Sequence, residues 1–319
     1  MIMPKDQPRD DDSPAFSSLD ELNRHLAEMS HIRNTTPDPE MGGLSPAQVA
    51  HLLYTEWDQP GAAVQLSGDL SLSELESSSF FKRARTLLLA VNEAGGVKAT
   101  SSKNLQRRFV SEMVDCLLDE KEREGLLRHY KAPNEQDVRV LHIPRVVAQA
   151  AGVLRLHKGK FVVPKTRTRL LGREHAGALY RDLFFAYFRR FNLAYASRYG
   201  PDASPLQSGV PYTLYRLGIV ASKWQQVVGL TDELTLPGIR IQVEEEVGSS
   251  QIWALGGLVT FRILEPLVEW GLLEGQYESD KYRIERLEAV RVTPLYRSFL
   301  HFKVDASYRP PFAWPHSPQ

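Results

Sequence analysis

Cysteine is almost missing: Cys116 is the single one among 319 residues. A disulfide framework within the chain is excluded, as is a zinc site built on two or more thiolates. Long apolar runs are missing too. No stretch approaches the roughly 18 residues of a membrane-spanning helix, and the opening MIMPKDQPRDDDSP lacks the apolar segment of a signal peptide. Neither sign of charge is in excess. Lys+Arg and Asp+Glu both number 39, so any electrostatic partner must be met by a local patch. These absences predict a cytoplasmic protein without membrane contact.

Catalytic motifs are missing as well. There is no Gly-x-x-x-x-Gly-Lys-Ser/Thr loop, no Gly-x-Gly-x-x-Gly and no Gly-x-Ser-x-Gly elbow. The nine histidines are scattered and form no His-Glu-x-x-His. Glu244-Glu245-Glu246 cannot converge on one ion, because consecutive side chains diverge on a helix and alternate on a strand. Cys116 falls between Val114 and Leu117 and reads as a small buried hydrophobe. The expectation is a protein with no catalytic residues, no cofactor and no metal.

What is present is ordinary globular material, 42% hydrophobic and 24% charged, in a length that allows two or three domains. Residues 1–42 form a polar lead, partly disordered where Pro4, Pro8 and Pro14 punctuate the acids Asp10, Asp11 and Asp12. Residues 43–131 read as a helical N-terminal domain, 132–230 as a basic unit plus an aromatic helix, and 231–305 as an acidic unit. Residues 306–319 are a Pro-rich tail. Three times a helix ends in a small-residue/Gly junction, followed by a β-like stretch and a turn into another helix. The junctions are Ala94-Gly95-Gly96, Ala151-Gly152 and Trp270-Gly271. In the second copy, Val153 to Leu156 and Phe161 to Val163 flank Lys158-Gly159 and read as a hairpin. Two short helices divided at Ile143-Pro144 precede it, because Pro disfavours a helix interior. Helix, turn, helix, hairpin is the winged-helix order. The predicted fold is mainly helical α+β, built of winged-helix-like units with short β-hairpins.

Charge is segregated along this framework. Residues 144–173 carry Arg145, Arg155, Lys158, Lys160, Lys165, Arg167, Arg169 and Arg173 and no Asp or Glu. Several cations at backbone spacing, with a helix start nearby, suit phosphate. In this reading Lys158 and Lys160 flank the wing tip, while Arg145 and Gln149 project from the second helix toward a groove. Lys98, Lys103, Arg107 and Arg108 form a second basic cluster. Residues 241–290 hold ten acids against four bases, which repel phosphate and suit a protein partner or self-association. The functional expectation is a non-enzymatic nucleic-acid-binding or regulatory protein, with DNA preferred to RNA. The alternative is an interaction scaffold of degenerate winged helices, in which the cations pair with acidic protein surface. An enzyme of unfamiliar type stands third.

Gly43-Leu44-Ser45-Pro46-Ala47-Gln48, His51-Leu52-Leu53-Tyr54, Gly96-Val97-Lys98-Ala99-Thr100 with Asn104-Leu105, and Phe191-Asn192-Leu193-Ala194-Tyr195 together resemble a group of uncharacterised bacterial proteins. Members are often plasmid- or mobile-element-associated, and some end in a SEC-C-type zinc tail. The resemblance covers roughly residues 43 to 220 and extends weakly to about 300. It implies a bacterial setting and this domain order, without a settled activity. One cysteine rules out the zinc tail here.

Overall fold

The computed structural model describes residues 16–196, 201–248, 254–279 and 285–309. The expected disorder of the first 15 residues and the tail from residue 310 lie outside them. Ser18 caps α1 (Leu19–Thr35) by accepting the Glu21 N–H, yet this helix buries none of its residues. α2 (Pro46–Tyr54) opens at Ser45-Pro46 with a capping box between Ser45 and Gln48. β1 (Val64–Leu66) follows.

Two stretches then run through one order of elements. The first is α3 (Ser79–Glu93), β2 (Val97–Lys98), α4 (Arg107–Leu117), α5 (Glu120–His129), α6 (Arg139–Ala150), β3 (Arg155–His157) and β4 (Lys160–Val162). Three helices connect it onward: α7 (Ala176–Arg189), α8 (Leu193–Ala196) and α9 (Ser204–Ser208). The second stretch is α10 (Val210–Val220), β5 (Gln225–Gln226), α11 (Val227–Leu234), α12 (Pro237–Val247) and α13 (Leu255–Val259). A π-helical turn at Thr260–Leu264 carries α13 into α14 (Glu265–Glu269), and β6 (Leu273–Ser279) and β7 (Glu285–Val292) complete the stretch. Each forms a three-stranded antiparallel sheet in which the last strand lies central: β2-β4-β3 and β5-β7-β6. α15 (Pro294–Phe299) and β8 (Leu300–Phe302) follow, and β8 pairs with β1. The mainly helical α+β class is as expected.

The count of units is not. The first two of the three recurring junctions belong to one sheet, since Val97 lies opposite Phe161 and Lys98 opposite Lys160. A boundary at 131/132 would sever that sheet, and one at 230/231 would sever β5 from β7. What recurs is a cap: Gly95, Gly152 and Gly271 all adopt positive φ at a helix end. The next residue's N–H then reaches back to Val91, Ala148 and Leu267 respectively, the Schellman pattern that favours glycine.

Two local expectations also fail. Pro144 sits inside α6 and divides nothing. It forfeits one backbone bond, but Leu141, Val147 and Ala148, fully buried on either side, hold the helix together. Cys116 is exposed: the buried arc of α4 runs through Phe109, Val110, Met113 and Val114, and Cys116 falls outside its edge.

The aromatic stripe of α7 is core, as its width of apolar surface predicts. Tyr180, Phe184 and Phe188 are fully buried, and Trp270, at the end of α14, stacks on Phe80 of α3 with ring centroids 4.3 Å apart. Tyr180 donates to the Trp270 carbonyl at 2.8 Å, and Ser78 and Ser79 at the start of α3 donate to that of Glu269. The two units are therefore knitted through one aromatic cluster. At the other side His51 donates to the Gly61 carbonyl at 2.8 Å and accepts the Asp305 N–H at 2.9 Å, tying α2 to the segment after β8.

Candidate nucleic-acid interface

Strand alternation gives the first sheet two unlike faces. Val97, Phe161 and Leu156 are in register across it and point to the core, with Phe161 fully buried. The opposite face carries Lys98, Lys160 and His157 in register, and Arg155 on the same side two residues before His157. All four are exposed. Lys158 and Gly159 form the tip, with φ of +48° and +75°, the left-handed pair of a type I′ turn. Asn-Gly is the ordinary choice there; a lysine in that conformation is strained.

Lys98 directly opposite Lys160 is a like-charge pair, which costs a sheet stability. No carboxylate among the described residues lies within ion-pair distance of Lys98, Arg155, Lys158 or Lys160 to offset it. The second sheet differs: its β5–β7 pairs, the counterparts of Lys98–Lys160, are the uncharged Gln225–Val290 and Gln226–Ala289, and its charged pairs lie between β6 and β7. Glu274 faces Arg291 and Glu278 faces Arg286, and Arg291 is ion-paired to Glu274. One sheet cancels its own charge and the other leaves it unmet.

Arg145 and Gln149 do not face a groove. α6 packs against α3, α4 and α7, and Arg145 is only 7% exposed. Its guanidinium lies over the Phe161 ring at 5.3 Å, beneath the sheet, and donates to Glu135 at 2.7 Å and to Gln149. Glu135 is fully buried and takes His142 Nδ1 at 2.6 Å and the Leu105 N–H at 2.5 Å as well. Burial works to raise the Glu135 carboxyl, but the His142 hydrogen bond and the Arg145 charge outweigh it and hold the group below its ordinary value. The network ends at Tyr195, whose hydroxyl meets His142 Nε2 at 2.8 Å. Arg145 is thus a structural cation. A sequence scan for basic residues cannot tell it from the others, because Glu135 lies ten residues away and the Phe161 ring comes from another element.

Lys165, Arg167, Arg169 and Arg173 lie on 3-10 turns after β4, and all are exposed. Arg167 is drawn to Asp182 on α7 at 3.1 Å. The sheet face therefore brings together Arg155, Lys158 and Lys160 of the expected set, adds Lys98 and His157, and excludes Arg145 and Gln149. Among the described residues no helix is long and apolar enough to cross a membrane, and no group of three or more His, Cys, Asp and Glu is placed to hold a metal.

Residues 76–178 match the model of the Y4jL N-terminal domain, a family of uncharacterised proteins. The match opens just before α3, closes at the start of α7, and so contains the whole first unit. No curated protein and no solved structure matches the chain.

Proposed function

We propose that this is a non-enzymatic nucleic-acid-binding protein whose first unit is a winged helix that grips phosphate with its sheet and wing. The order helix, strand, helices, hairpin, with the first strand beside the last, is what supports the winged-helix reading of both units. The observation that carries the binding reading is the uncompensated row Lys98, Lys160, His157 with Lys158 at the tip. A sheet that tolerates facing lysines gains nothing for its own stability and suits a polyanion. Because the helix that usually enters the major groove is buried here, contact falls on backbone phosphates and carries little base readout. Duplex DNA in the cytoplasm of a bacterium, on a plasmid or mobile element, is the partner we infer.

The test is binding of the full chain to duplex DNA, single-stranded DNA and RNA at low salt. Lys158→Glu/Lys160→Glu abolishes binding in this account, and an unchanged affinity contradicts it. The burial of α6 favours a second reading, an interaction scaffold whose cationic sheet meets an acidic protein surface. Failure of the wild type on all three nucleic acids would leave that one standing.

A further inference from the structure

α6 in the first unit and the π-turn with α14 in the second hold equivalent places, each being the helix that leads into a hairpin. Residues of both line one cavity of about 120 Å³, together with residues of α3 and α7. Phe80, Ile143 and Phe261 supply apolar wall. Phe261 and Glu269 mark the mouth, with about half of each side chain exposed (49% and 54%). The π-turn adds one residue to the helical repeat at this point, a device often found where a side chain must be re-aimed.

Three polar groups line this cavity: Tyr187 and Glu265 lack the partners their burial calls for, and Arg139 is exposed. Tyr187 is 4% exposed, and its hydroxyl has no hydrogen-bond partner among the described residues, although buried Tyr O–H groups ordinarily find one. Glu265 is half-buried with neither hydrogen bond nor ion pair among them. Burial, with Glu269 beside it, holds its carboxyl above the ordinary value against the pull of Arg139. Arg139 gives an N–H to the Ala196 carbonyl and has no carboxylate within ion-pair distance among the described residues. Glu269 differs, because Arg83 lies 3.8 Å from it.

A half-buried carboxylate and an exposed guanidinium, neither within ion-pair distance of an opposite charge among the described residues, thus line a small cavity with a phenol and an apolar wall. A lone cation would meet the field of Arg139, and a lone anion that of Glu265. A molecule carrying both charges satisfies both. We propose that the cavity binds a small zwitterion, an amino acid with an apolar side chain. Its ammonium lies on Glu265 and the Tyr187 hydroxyl, its carboxylate on Arg139, and its side chain against Phe80, Ile143 and Phe261. A cavity of about 120 Å³ favours a small aliphatic side chain over a large one. The proposal is independent of the nucleic-acid reading.

Calorimetric titration of the full chain with L-alanine, L-valine and L-leucine tests it. At least one binds saturably, and at least tenfold tighter than its amine or its carboxylic acid alone. Glu265→Gln and Arg139→Gln each weaken that binding at least tenfold, and Tyr187→Phe weakens it severalfold, while the melting curves of the variants stay cooperative. Should a variant fail to fold, the comparison of the amino acid with its two half-molecules on the wild type decides. No saturable binding by any of the three, a half-molecule binding as tightly as the amino acid, or unchanged affinity in folded Glu265→Gln and Arg139→Gln overturns the proposal.

Discussion

Lys160 has Lys98 opposite it on one strand and His157 on the other, so the Lys98–Lys160 pair is unfavourable to the sheet, and in the proposed reading it serves phosphate. Lys160→Glu turns a like-charge pair into an opposite one. The variant should be more stable by about 0.5 kcal/mol, the middle of the cross-strand range, while losing most of its affinity for DNA. Parallel melting and binding curves check both halves; a residue present for stability alone would show the opposite sign in melting. Glu135 is the converse case, a charge present for stability. Glu135→Gln strips the partner from buried Arg145 and should cost about 3–5 kcal/mol, measured by urea unfolding at neutral pH. Its carboxyl is held below the ordinary value in the fold. The stabilisation is therefore complete above the ordinary carboxylate value and is lost as pH falls through the lower, folded one. A wild-type stability that stayed flat on acidification through that window would remove Glu135 from this role. At this scale the cations were legible in the sequence and their partners were not. Arg145 and Arg155 look alike in a string; only the fold puts one under a ring and the other in water.

At the scale of elements, local chemistry was readable wherever it is local. The Ser45-Pro46 start of α2 and the hairpin about Lys158-Gly159 stand as the residues imply. The helix ends at Gly95, Gly152 and Gly271 were visible for the same reason, since a left-handed cap needs glycine at one position. Pro144 misled because a propensity of one residue was weighed without the burial of its neighbours. Cys116 misled because it lies at the edge of a buried arc, where neighbours in sequence share its pattern without its exposure. Tight contacts between elements were invisible. α7 approaches the chain at 68–70 so closely that a Cβ on Gly177 would lie 2.5 Å from the Gly68 carbonyl oxygen and the Leu70 nitrogen. Gly177→Ala should therefore destabilise by about 1–3 kcal/mol, as overpacking does, despite alanine's better helix propensity. Thermal unfolding checks the sign: a more stable variant would mean that propensity wins and that this contact is loose.

The whole molecule is a duplicated order of elements joined through Trp270 and the α7 aromatics, with β1 and β8 closing the ends against each other. The mainly helical class was within reach of the sequence because hydrophobic period and caps repeat along it. The number of units was not, because β2 and β4 are adjacent only across the intervening helices, and two residues of strand leave no period to read. The two sheets contrast in charge: one pairs Glu274 with Arg291, and the other carries Lys98, Lys158 and Lys160 unmet. If that contrast is functional, the first sheet releases counterions from nucleic acid and the second does not. The most direct measurement is the slope of log affinity against log salt for duplex DNA, for the wild type and for Lys98→Gln/Lys160→Gln. Each phosphate contact contributes about 0.9 to that slope, so the account predicts a steep wild-type dependence that is shallower by about two in the variant, on any DNA sequence. Identical slopes would contradict it.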